Sequence, residues 1–149
     1  MQQRTRTLLQ LGRQLATAAG AAAIREVGAR ALTQAVGATA HINPAEQASA
    51  VDGNGESGGE WVVPLTVGAR GHGTVVFATR GSDEPDAERR ELALAMSQDI
   101  ALALERARLA HELEQARVQG ETERLRNALL SSVSHDLRSP LASMIGAAD

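Results

Sequence analysis

The sequence contains no cysteine, no tyrosine and no lysine. Without cysteine there are no disulfides, no thiolate metal sites and no cysteine nucleophile, and nothing can be inferred about redox compartment. The only aromatic rings are Trp61 and Phe77, which leaves few large side chains for a core or for stacking on bases. No run of about 18 apolar residues occurs, so no membrane-spanning helix is expected. The formal charge is −3, which argues against general nucleic-acid binding. The first twenty residues hold Arg4, Arg6 and Arg13, but Leu8, Leu9, Leu11 and Leu15 are interrupted by Gln and Arg. That pattern is an amphipathic helix and not a signal peptide.

What is present is alanine and arginine. The 149 residues include 28 Ala, which favours helix, and all fifteen basic residues are Arg. With 43% hydrophobic and 22% charged residues the composition is that of a soluble, globular chain, long enough for one small domain and an appendage. Leu8, Leu11, Leu15 and Ala18 recur at helical spacing over 3–18, and Ile24, Val27, Ala31 and Val36 do so over 22–37, ending at Gly37. The stretches ATAHI and QASAV, separated by Asn43-Pro44, predict two brief strands around a turn. Residues 52–60, DGNGESGGE, predict a loop. EWVVPLTV and GTVVFATR flank GARGH and predict a hairpin with a glycine-supplied turn. Trp61, Val63, Leu65 and Val67 would share one face, and Pro64 requires an edge or a bulge nearby.

From about residue 84 the pattern is helical throughout. Ser82 and Asp83 can cap it, and Pro85 is tolerated in a first turn. Leu92, Met96, Ile100, Ala103 and Ala107 form a stripe that continues through Leu109, Leu113 and Ala116. Gly120 interrupts it at a cost of about 1 kcal/mol and predicts a stutter or hinge. Leu125, Leu129, Val133, Leu137, Leu141 and Ile145 resume it. A single helix over 86–148 would be roughly 90 Å long, too long to bury its stripe on one small domain. The expected partner is the same helix of a second subunit. Arg106, Arg108, Arg117, Arg124 and Arg126 interleave with Glu105, Glu112, Glu114, Glu121 and Glu123, as on a salt-bridged solvent face.

The segment SVSHDLRSPLAS, residues 132–143, carries the chemistry. His135 lies between polar Ser134 and Asp136, while Val133 and Leu137 belong to the stripe, so the imidazole is expected to face solvent. The neighbouring carboxylate of Asp136 can hold the proton of one ring nitrogen and leave the other free as a nucleophile. Ser139 lies four residues on, on the same face. Pro140 removes the hydrogen bond to the Asp136 carbonyl and should kink the helix. His41 is expected to be a partly buried structural residue of a strand, and His72, in the turn, to be solvated. His111 is expected to be solvated on the coil. No two histidines share metal-ligand spacing, so no metal site is expected.

Ser134-His135-Asp136-Leu137-Arg138-Ser139-Pro140-Leu141 resembles, at every position, the phosphoacceptor box of sensor histidine kinases. Residues 101–148 resemble the corresponding junction in the KdpD branch of that family, the potassium-responsive sensor kinases. Residues 8–117, with their VPL arm and GTVVFA arm, resemble a GAF domain in layout. The resemblance implies that His135 is the autophosphorylated residue and that Asp136 assists proton transfer. It places Ser139, where Thr or Asn is commoner, at the position that orients water for dephosphorylation of a response regulator. Arg138 and Pro140 complete the motif.

The expected fold is α+β: a small antiparallel sheet with flanking helices, GAF-like, leading into a long C-terminal helix that pairs as a dimeric coiled coil. The expected divisions are a GAF-like sensor domain over 1–83, a signalling helix over 84–120 and the first helix of the histidine phosphotransfer domain over 121–149. The loop 52–60 is too short to wall a GAF ligand pocket, so no small-molecule site and no bound cofactor are expected. By that resemblance a second phosphotransfer helix and an ATP-binding domain, with its ATP and Mg, are expected to lie outside these residues. The chain is therefore expected to be inactive alone, as the cytoplasmic part of a kinase anchored in the bacterial inner membrane. Its expected partners are a second copy, that ATP-binding domain and a response regulator. The alternatives are a small-molecule-binding GAF module and a purely structural dimerisation element.

Overall fold

The computed structural model describes residues 2–47, 56–57, 59–79 and 84–148, with backbone alone for 56, 57, 142, 143 and 145–148. The chain divides into two compact units, Met1–Arg108 and Leu109–Asp149. The first contains helices α1 (Gln2–Thr17) and α2 (Gly20–Val36), strand β1 (Ala40–Asn43), a 3₁₀ turn (Ala45–Gln47) and strands β2 (Glu56–Ser57), β3 (Glu60–Val67) and β4 (Arg70–Ala78). Helix α3 (Ala87–Ala148) starts in this unit and supplies the described part of the second.

The two N-terminal helices form where leucine and alanine recur at helical spacing. Leu11 and Leu15 of α1 and Ile24, Leu32 and Val36 of α2 are buried. Gly37 ends α2 in the left-handed conformation, and its N–H donates to the Thr33 carbonyl at 3.0 Å. Thr33 Oγ1 donates to the Ala29 carbonyl and accepts from the Ala40 N–H at 3.0 Å, tying the start of β1 to the helix.

The strands form one antiparallel sheet in the order β1-β4-β3-β2. Trp61, Val63 and Leu65 of β3 point to the buried face, as alternation requires, with Val75 and Phe77 of β4 beside them. The two aromatic side chains stack with centroids 4.8 Å apart, and the Arg90 guanidinium lies 5.2 Å from the Trp61 ring. This layer packs with α1, α2 and the buried residues Ala93, Met96, Ile100 and Leu104 of α3 in one core.

Pro64 sits in β3 where β2, only two residues long, pairs no further than Trp61. Its missing N–H therefore breaks no β2–β3 bond among the described residues. The register slips between Leu65 and Thr66, leaving His72 without an opposite residue. That slip is a β-bulge. Gly73 follows it with φ +127°, and a Cβ there would collide with the Asn43 carbonyl.

Several expectations are corrected. The turn is narrower than GARGH: β4 begins at Arg70, so only Gly68 and Ala69 join the arms. Within the expected loop 52–60, Glu56 and Ser57 form β2. Where QASAV predicted a strand, Gln47 closes the 3₁₀ turn and the remainder lies outside the described residues, as do the cap candidates Ser82 and Asp83. Asp86 supplies a cap: its Oδ1 accepts from the Arg89 N–H at 2.8 Å. His41 is exposed rather than partly buried. The stripe of α3 is also not continuous in its environment. Met96 and Ile100 are fully buried in the first unit's own core, so no partner helix is needed there. Leu109 and Leu113, by contrast, are exposed.

Candidate functional site

In the second unit α3 runs unbroken through the motif, with Pro140 inside it. Proline has no N–H, so the Asp136 carbonyl loses its usual helical donor one turn after His135. Ser134, His135, Asp136, Leu137, Arg138, Ser139 and Pro140 are all exposed. The His135 side chain is 86% exposed and that of Asp136 79%. Nδ1 of His135 lies 3.9 Å from Oδ1 of Asp136, an ion-pair separation and longer than a hydrogen bond. The geometry thus presents an accessible imidazole with an adjacent carboxylate. Ser139 lies one turn further along the same helix.

The apolar residues around the motif are open as well. Leu125, Leu129, Leu130, Val133, Leu137, Leu141 and Met144 are exposed. Between them and the first unit the helix surface is laced by ion pairs. Arg117 binds Glu114 at 2.7 Å and Glu121 at 2.6 Å. The Arg117 bond holds the Glu114 carboxyl below its ordinary value, and the Arg117 guanidinium is raised in turn. His111 is exposed, as expected. Among the described residues no three His, Asp or Glu side chains converge to hold a metal ion.

One polar constellation was not foreseen. His72 belongs to β4, not to a turn, and its side chain is only 8% exposed. Its Nε2 lies 2.7 Å from Oε2 of Glu105 on α3. Glu105 also receives two donors from Arg108, at 2.8 and 3.1 Å. Those bonds, chiefly, hold the Glu105 carboxyl below its ordinary value, aided by the charges of His72 and Arg70. The glycines on both sides of His72 were the available signal, since glycine within a strand often marks a bulge. Asp99, on the same helix, is pushed up by burial, with Arg106 opposing.

No family model matches the chain. Over 49 residues, a third of the chain (33%), it is 59% identical to the sensor protein KdpD of Clostridium acetobutylicum, and over 89 residues, 59% of the chain, 38% identical to that of Escherichia coli. Over 79 residues, 53% of the chain, it is 42% identical to KdpD of Rathayibacter rathayi. The chain is KdpD-like. These matches cover 5%, 10% and 9% of the respective KdpD proteins, so the chain spans a small part of the length of its relatives. The structure is similar to the GAF domain of the potassium sensor histidine kinase KdpD from E. coli, with a TM-score of 0.58 at 17% identity. The match covers 72% of this chain and 97% of that domain. The sheet and its helices therefore make a GAF-like domain, and this KdpD-like chain carries it together with the start of a long helix. Among the described residues no helix of the chain is long and apolar enough to cross a membrane.

Proposed function

We propose that this chain is the segment of a KdpD-like sensor histidine kinase in which a GAF-like unit acts through a paired α3 on a phosphoacceptor, His135. The observation that carries the reading is the exposed His135-Asp136 pair on a continuous helix, with Pro140 one turn beyond. Phosphoryl transfer to an imidazole needs one ring nitrogen with a free lone pair and open access. At 86% exposure His135 has that access. Asp136 can accept the N–H of the other nitrogen, which fixes the tautomer and stabilises the charge that develops on the ring. ATP with Mg would supply the phosphoryl group, held by a separate ATP-binding domain of the whole kinase.

The exposed leucine and valine residues of the second unit support pairing with a second copy, because an isolated helix cannot cover them. The expected recipient of the phosphoryl group is a response regulator docking beside His135, and Ser139 stands where its hydroxyl could orient water for the reverse hydrolysis. By likeness to a potassium sensor, the signal would be potassium limitation or osmotic stress. The test is autophosphorylation of the whole kinase with labelled ATP. Acid-labile, base-stable label is expected, and its persistence in a His135→Gln variant overturns the assignment.

A further inference from the structure

The three helices of the first unit leave a cleft between them. α1 and the start of α3 meet there through the Arg4–Glu91 pair at 3.4 Å. α2 closes the third side, and the glycine that ends it, Gly37, lies beside the Arg89 guanidinium of α3. The cleft has a volume of about 580 Å³, within the range of pockets that take small molecules. Its floor is apolar. Leu11 and Met96 are buried in the core, and Leu92, Ala31 and Ala35 are only partly buried. The α2 wall is low because positions 31 and 35, one turn apart, are both alanine. A longer side chain at either would fill the space.

Above the floor the rim is polar and unpartnered. Gln3, Gln10, Gln14 and Gln34 line it, and none of these carboxamides hydrogen-bonds to another described residue. Each offers two N–H donors and an acceptor oxygen. The Glu88 carboxylate and the Arg89 guanidinium also line the cleft and also have no side-chain partner among the described residues. The charges of the rim cancel, Arg4 and Arg89 against Asp86 and Glu88. An ion of either sign would therefore meet repulsion together with attraction. A neutral molecule with several hydroxyls meets none. Its oxygens can accept from the guanidinium, its O–H groups can donate to the carboxylate, and the carboxamides serve both.

We propose that this cleft binds a neutral polyhydroxylated molecule of monosaccharide to disaccharide size. Arg89 and Glu88 hold hydroxyls from α3, Gln10 and Gln14 from α1, and Gln34 from α2, while the C–H face of the molecule lies on the apolar floor. The walls are helical, so the shortness of the 52–60 loop does not exclude this site. A molecule bound here bridges all three helices, including the first turns of α3. That such bridging would alter what α3 transmits rests on the kinase reading above; the binding itself does not.

The test is titration of the 149-residue chain with glucose, maltose and trehalose, and separately with inorganic phosphate, read from amide chemical shifts. Saturable shifts of amides 3–14, 31–35 and 86–96 are expected with at least one of the three sugars and not with phosphate, while amides 121–137 stay in place. Ala35→Leu, which fills the cleft, and Gln34→Ala, which removes an exposed amide, are each expected to raise the dissociation constant at least about fivefold. The amides outside the cleft report whether each variant is folded, and Gln34→Ala, an exposed position, serves should Ala35→Leu not fold. Absence of saturable shifts with all three sugars overturns the proposal. So does saturable phosphate binding in preference to them, or an unchanged affinity in either folded variant. None of these outcomes bears on whether His135 accepts phosphate.

Discussion

Single residues in this chain fall into two kinds, those fixed by their surroundings and those left free. Gly73 is of the first kind. Its positive φ and the approach of the Asn43 carbonyl exclude any side chain. Gly73→Ala is expected to destabilise the GAF-like unit by about 3 kcal/mol, since strained backbone and a backbone clash add. Chemical denaturation reads this as a lower midpoint at unchanged slope. His135 is of the second kind. At 86% exposure its replacement should shift stability by less than about 0.5 kcal/mol. His135→Gln should therefore abolish acid-labile phosphate in the whole kinase while leaving the unfolding midpoint of the chain where it was. Loss of both together would mean that the residue serves the fold.

At the scale of elements, α3 has two environments on one helix. Up to Leu104 its apolar face belongs to the core of the GAF-like unit, and from Leu109 onward its leucines are exposed. The start of the helix depends on a local cap, the Asp86 carboxylate accepting from the Arg89 N–H. Asp86→Ala is expected to cost about 1 kcal/mol, measured as a lowered unfolding midpoint of the first unit. The exposed portion should respond differently. If α3 pairs with a second copy, Leu113→Arg is expected to raise the dimer dissociation constant at least about tenfold, by placing a charge in the seam. Sedimentation at several concentrations checks this, and an unchanged profile argues against pairing through that face. The periodicity of leucine shows where the helix is amphipathic but cannot tell which face another element will cover. That is why Met96 and Ile100, read as one stripe with Leu113, proved to be core.

At the scale of the whole molecule, two carboxylates among the described residues are lowered by ion pairing and add to the acid limb of stability. Arg108 holds Glu105, and Arg117 holds Glu114, below their ordinary 4.5. Such groups bind more protons unfolded than folded, so their contribution is complete above pH 4.5 and is lost as pH falls through the lowered folded values. Glu114 is exposed, and solvent screening leaves its share small. Asp99 works in the opposite sense: burial raises it, so its ionisation weakens the fold as pH rises from 3.8 through the raised value. Glu105→Gln should remove the Glu105 share of the acid loss. The thermal midpoint of the variant is then expected to fall less steeply than that of the wild type between about pH 5 and about pH 3. An identical slope would show that Glu105 does not contribute.

The helices, the hairpin and the motif around His135 were legible in the sequence alone, because each is a local pattern: leucine at spacings of three and four, alternation broken by glycine, eight consecutive residues of one box. Sequence also determined that Pro64 needed an uncovered edge or a bulge. The tertiary structure alone decided what depends on residues distant in the chain. It buried His72 against Glu105 and left His41 exposed, and it divided α3 between a covered and an uncovered face. The physical reason is the same in each case. Burial and ion pairing are set by what packs opposite a residue, and a one-residue slip in a strand reverses the side to which its neighbours point.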